Sequence, residues 1–318
     1  MYWPYLRSKQ NEVLAVRELA SNLTSNLVVP IFKPVGNLSH LETRLAGTIS
    51  QGVRVAIVMN PDQGNPIPPH SSVATMFGNL ETKTPGMAFP AYEIGSETTI
   101  RNIGQFCATY AKYQMVLVHR NHQFSSQSIV GALGSPTLPP VHVFFDQGVP
   151  SSTINGILSS RKVLLRDGFQ RQSANGHYPP HSHFGDLVFN FTSFGFNGMS
   201  DCGPLGDVFI TGGSSPSHVA LHLTEQNPSP TLICNHFVSS VSTTSDTETK
   251  YFDALEKLVN YTGSPGQGQF ATFGVDDFCL SRTNGHFPNL GPPKRWSLKH
   301  HIQLIDNLLQ NSGFTPFV

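Results

Sequence analysis

Five short apolar, β-branched runs, each ending in polar residues, constrain this chain more than anything else in it. They are 27–35 (LVVPIFKPV), 53–60 (VRVAIVMN), 114–120 (QMVLVHR), 141–146 (VHVFFD) and 162–167 (KVLLRD). Near-continuous apolar runs of this length suit strands buried on both faces, the condition of a parallel sheet covered by helices. Between them, 38–51, 97–113, 125–133 and 151–160 are polar with spaced apolar residues and can serve as crossover helices. The first half therefore reads β-α-β-α, a wound parallel sheet or barrel of the α/β class. Ahead of it, 8–22 carries Val13, Leu14, Val16 and Leu19 at helical spacing with Ser8 as candidate N-cap, so an amphipathic helix opens the domain. The aromatic start Tyr2-Trp3-Pro4-Tyr5 is expected to dock and plug one end of the barrel rather than fray.

The segment 61–96 is too rich in Pro and Gly for a long helix and reads as a long loop on the side where strands end, either a binding loop or a plain surface excursion. After 168 the rhythm changes. Segments 186–192, 207–212, 218–224 and 231–238 follow one another with little room for helices, which predicts an antiparallel meander. Residues 246–260 and 297–310 restore helical spacing. No repeat or low-complexity tract marks a boundary, so residues 1–318 are taken as one domain.

Twenty basic and twenty acidic residues cancel, and charged residues are only 13% of the chain, which leaves no basic field for general nucleic-acid coating and tolerates homo-oligomer formation. The cysteines, Cys107, Cys202, Cys234 and Cys279, lie far apart and suggest reduced thiols rather than a disulfide framework or zinc knuckle. A charged N-terminus and the lack of a long apolar run predict a cytoplasmic protein with no membrane span.

The ordered set Tyr2, Pro4, Tyr5, Leu6, Arg7, Lys9, Gln10, Glu12, then Asn60-Pro61, Asp167-Gly168-Phe169, Tyr178-Pro179, the GFNGMSD run ending at Asp201, Gly212-Gly213, HVALHL, CNHF and PKRWSLKHHI resembles the bacterial Sce-type family, a relative of the phage Beta-protein family. This resemblance spans nearly the whole chain. It implies a TIM-barrel-like (β/α) fold, whole or else incomplete or distorted, of unassigned activity, in a bacterial anti-phage or mobile-island defence module beside a nuclease-like protein from a neighbouring gene. It also suggests that Arg7 and Lys9 reach the site. Two positions depart from the family pattern: Lys33 stands where an acidic residue is usual, and Cys202 where an aromatic commonly follows Asp201.

Ligands of parallel α/β domains bind beyond the carboxyl ends of the strands. Lys33, Asn60, His119, Arg120, Asp146, Arg166 and Asp167 fall at or just past the five strand ends. Asp146, Asp167 and His119 are the candidate catalytic groups, with Asp146 and Asp167 also able to hold a divalent cation. Lys33, Asn60, Arg120 and Arg166 suit an anionic ligand, especially phosphate. Gly212-Gly213 follows a predicted strand and can either present N–H groups to an anion or form a hairpin turn. Of the histidines, His177, His181 and His183 share a Pro-containing loop without zincin spacing, while His222 and His236 sit inside apolar strands as core histidines or ligands. The expectation is a hydrolase acting on a phosphate-containing substrate, with a non-catalytic sensor or adaptor for a phage component or partner nuclease as the rival.

Overall fold

Each of the five apolar runs forms a strand, and further segments extend the sheet they make. The computed structural model describes residues 1–24, 26–209, 216–240 and 246–317. The parallel strands are β1 (Tyr5–Arg7), β2 (Ile31–Lys33), β3 (Val55–Val58), β4 (Ala88–Ile94), β5 (Val116–His119), β6 (Val141–Phe145), β7 (Lys162–Leu165) and, after an antiparallel strand β8 (His181–Gly185), β9 (Gly198–Ser200). They pair in the order β1-β2-β3-β4-β5-β6-β7-β9. The last seam, between β1 and β9, has no continuous ladder among the described residues. A single Tyr2–Met199 bridge spans it, with backbone bonds from Trp3 N to Met199 O and from Tyr5 N to Asp201 O. The result is a nearly closed eight-stranded parallel barrel.

Helices α1 (Gln10–Leu19), α2 (Leu38–Ile49), α3 (His70–Lys83), α4 (Ile100–Tyr110), α5 (Ser126–Leu133) and α6 (Ser151–Gly156) each follow a strand. The short α7 (Leu187–Asn190) precedes β9, and the long α10 (Gly291–Asn311) packs against α1. Strands β10 (Ala220–Gln226) and β11 (Leu232–Val238) join β8 in a small antiparallel sheet, ordered β10-β11-β8. One face of that sheet buries Val219, Leu221, Leu223 and Phe237 under α8 (Thr247–Thr262) and α9 (Phe273–Asn284).

Alternation along the parallel strands divides the core into two shells. Tyr5, Ile31, Val58, Ala91, Val118, Val143 and Leu165 fill the barrel. Leu6, Phe32, Ile57, Ile94, Leu117, Phe144 and Leu164 face the helices. Trp3 and Met1 fill the amino end of the interior, so the aromatic start docks and plugs that end of the barrel while its chain continues into the first strand.

Several sequence readings are corrected. The segment 61–96 contains α3 and β4: Val73, Met76, Phe77 and Leu80 repeat on one helical face, and the Pro and Gly residues that masked this pattern lie mostly in the flanking turns. Residues 187–190, read as strand, form a helical turn, and β8 replaces them in the small sheet. Ser8 does not cap α1; its hydroxyl accepts from Val35 N at 2.9 Å, tying the β1 exit to the β2 exit. Of 207–212, residues 207–209 are not strand, and the remainder lies outside the described residues.

Candidate active site at the carboxyl mouth of the barrel

Extending the inner-shell alternation by one step gives the side chains that must face the mouth. Two residues beyond Tyr5, Ile31, Val58, Ala91, Val118 and Leu165 stand Arg7, Lys33, Asn60, Glu93, Arg120 and Asp167. An apolar barrel interior thus ends in a polar layer containing three cations.

Lys33 is 1% exposed, and its Nζ lies 3.0 Å from Glu93 Oε1 and 2.5 Å from Asp62 Oδ1. A buried ammonium has to be paired in this way, because an uncompensated charge at such a depth costs several kcal/mol (roughly 3–5). Glu93 also accepts from the Tyr5 hydroxyl and lies 3.8 Å from Arg120 Nε. Asn60 is used locally: its amide donates to Glu93 O and accepts from Glu93 N, both at 2.9 Å, clamping the ends of β3 and β4.

A loop from the β9 side covers this layer. Asp207 takes Arg7 Nη2 at 3.1 Å and pairs with the Arg120 guanidinium, while Arg7 Nη1 donates to Gly206 O at 3.3 Å. Asp167 Oδ2 accepts from Asp207 N at 2.8 Å, and its Oδ1 accepts from Phe169 N at 3.1 Å. Burial pushes the Asp167 carboxyl above its usual range, although these two backbone N–H groups act in the opposite direction. A cleft of about 480 Å³ opens at the rim, between the start of α1 and the start of α2, with Lys9, His40, Arg44, Asn65 and Phe209 in its walls. Phe209 also lies under the Arg7 and Lys9 cations, so the cleft borders the Arg7–Asp207 pair.

Lys33, Asn60, Arg120 and Asp167 are therefore brought together. His119, Asp146 and Arg166 are not. They follow Leu117, Phe144 and Leu164, the outward-facing phase. Arg166 binds Asp146 at 2.7 Å and Asp186 at 3.0 Å on the outside of the wall. With Asp146 engaged there and Asp167 inside, the proposed carboxylate pair cannot grip one cation. His119 is fully buried among outer-shell residues, between His122 and His142. Gly212 and Gly213 lie outside the described residues.

Sequence reasoning missed Glu93, because its strand was taken for loop, Asp62, which lies in the same segment without a local signature, and Asp207, which opens a segment read as strand but lies in a loop. Asp201, although beyond β9, faces outward. It accepts from the Tyr2 hydroxyl at 2.7 Å and Gly203 N at 2.9 Å, and lies 3.1 Å from His301 Nε2; His301 Nδ1 is 2.9 Å from Thr224 Oγ1. All of these side chains are buried, so the Asp201–His301–Thr224 chain braces β9, α10 and β10 rather than meeting a substrate. His181 and His183 on β8 are exposed, and no described contact joins them with His177.

Neither a scan against models of protein families nor a search among curated proteins finds a match to this chain. No helix among the described residues is long and apolar enough to cross a membrane.

Proposed function

We propose that the carboxyl mouth binds a phosphate-bearing ligand and hydrolyses it. One observation carries this reading: Arg7, Lys33 and Arg120, from three separate strands, project from the same inner phase toward one opening. Two of the carboxylates that neutralise them, Asp62 and Asp207, belong to loops, so a phosphoryl group entering by the rim cleft can take their place. Guanidinium groups then engage its oxygens, and the buried ammonium adds a fixed charge behind them. The Asp167 carboxylate, made more basic by burial, is suited to take a proton from an attacking water as the phosphorus–oxygen bond to the leaving group breaks and the leaving oxygen departs with the bonding pair. Charge building on the non-bridging oxygens is stabilised by the three cations. The resemblance noted in the sequence supports reading this activity as part of an anti-phage or mobile-island defence module, acting beside a nuclease-like partner.

The second reading, a sensor or adaptor without turnover, is favoured by the complete pairing of the three cations within the protein itself. A ligand that displaces Asp207 would then release the loop and signal occupancy.

Titration with pyrophosphate and turnover of bis(para-nitrophenyl) phosphate test both. Arg120→Met is expected to weaken pyrophosphate binding by about tenfold or more, and Asp207→Asn to strengthen it, since one competitor for the guanidinium groups is lost. Turnover lost in Asp167→Asn supports hydrolysis. Binding with these responses but no turnover supports the sensor, and binding indifferent to both Arg120→Met and Asp207→Asn overturns the mouth as the ligand site.

A further inference from the structure

The antiparallel sheet holds a second constellation, distinct from the mouth. His222 on β10 and His236 on β11 are direct cross-strand partners, and Cys234 precedes His236 by two residues on the same face. Their donor atoms converge: His222 Nδ1 is 2.8 Å from His236 Nδ1, Cys234 Sγ is 3.9 Å from His236 Nδ1, and the three lie within 4.8 Å of one another.

We propose that His222, Cys234 and His236 form a zinc site. Two imidazoles and a thiolate are the ligand types that zinc prefers, and three protein ligands leave one position for water. Zinc bond lengths of about 2.05 Å to nitrogen and 2.3 Å to sulfur place tetrahedral donors about 3.3 Å (N to N) and 3.6 Å (N to S) apart. The observed 2.8 and 3.9 Å bracket these separations, so small side-chain rotations admit the ion without moving either strand.

The surroundings agree with this assignment. His236 Nε2 is 2.9 Å from Ser182 Oγ, the outer hydrogen bond that orients a ligating imidazole and leaves Nδ1 free for the metal. The ring of Tyr178 stands 4.7 Å from both imidazoles, and Phe169 stands 5.1 Å from His222, so aromatic walls shield the site. Cys234 and His236 are buried while His222 is half-buried, which leaves the His222 edge for the open coordination position. A bound divalent ion would stabilise the Cys234 thiolate against the burial that raises its thiol. Neighbouring histidines do not compete: His183 and His181 pair opposite Ile233 and Asn235, the positions flanking Cys234 and thus on the other face of the sheet.

The test is cobalt(II) and zinc titration of the full chain, followed by absorbance and metal analysis. The expected result is a thiolate-to-cobalt charge-transfer band that saturates at one equivalent and is displaced by zinc. Cys234→Ser should remove the band, Cys107→Ser should keep it, and Ser182→Ala should weaken affinity about tenfold. The band in the wild-type chain decides the matter even if Cys234→Ser fails to fold. Absence of that band, or its persistence in folded Cys234→Ser, would overturn the proposal and leave the trio as hydrogen-bonded core.

Discussion

Three histidines show how a strand end can hold polar groups that never meet solvent. Phe124 N donates to His122 Nδ1 at 3.2 Å, so the neutral His122 carries its proton on Nε2 and donates to His119 Nδ1 at 2.9 Å. His119 Nε2 then donates to His142 Nδ1 at 3.0 Å. A proton added to either shared acceptor would set two N–H groups against each other, and burial compounds that cost. Burial lowers His122 and His142 to about 4, and burial with help from both neighbours lowers His119 well below its ordinary value. His300, held between Thr272 Oγ1 and Thr224 O, is likewise lowered to about 4 by burial. Unfolded, these groups titrate near 6.5. Between 6.5 and 4 the unfolded chain therefore binds protons that the folded one refuses, so their stabilisation is complete above 6.5 and declines as pH falls toward 4. Glu12, raised to about 8 by desolvation, acts with the opposite sign in part of this window. Denaturant melts at stepped pH should show a net loss of stability from pH 6.5 to 4; a flat profile would contradict the account. His119→Ala is expected to cost roughly 2–5 kcal/mol in urea unfolding, because it opens a cavity and strands two ring nitrogens.

At the scale of elements, the positions of the five apolar parallel strands were legible and their phase was not. A strand end specifies height along the barrel, whereas alternation specifies the side. In strands buried on both faces the two sides are equally apolar, so Val116-Leu117-Val118-His119-Arg120 gives no polarity signal to say that Arg120 points in and His119 points out. The same ambiguity grouped Asp146 with Asp167. Strand β4 and helix α3 were hidden by flanking turn residues, and Glu93 was lost with them. Closure of the barrel was also beyond local pattern, since it depends on residues 1–7 meeting 198–201 from the far side of the chain. Tyr2 secures that meeting by pairing its backbone with both Val28 and Met199 while its hydroxyl reaches Asp201. Deleting residues 1–7 removes a whole strand and bares two parallel edges, so the truncated chain is expected to lose cooperative thermal unfolding and to aggregate. A sharp transition within a few degrees of the intact chain would show that β1 is dispensable.

Across the whole molecule, the amino end of the barrel is filled by Met1 and Trp3 and stacked on by Phe317, while the carboxyl end carries paired charge. That asymmetry is what makes one end a structural base and the other a candidate site. Arg295 and Lys299 on α10 both bind Glu18 on α1, and Lys299 also binds Asp277 on α9, so α10 links the helices beside the barrel to those over the small sheet. Phe169 and Asp167 lie two residues apart and reach the imidazole cluster and the mouth respectively, which places the two candidate sites on either side of a single short turn. The account rests on the mouth accepting an anion in place of its own carboxylates. A crystal structure with bound pyrophosphate tests this most directly: it should show the ligand held by Arg7, Lys33 and Arg120, with the Asp207 carboxylate displaced from both guanidinium groups. Pyrophosphate bound elsewhere, with the Arg7–Asp207 and Arg120–Asp207 pairs intact, would contradict it.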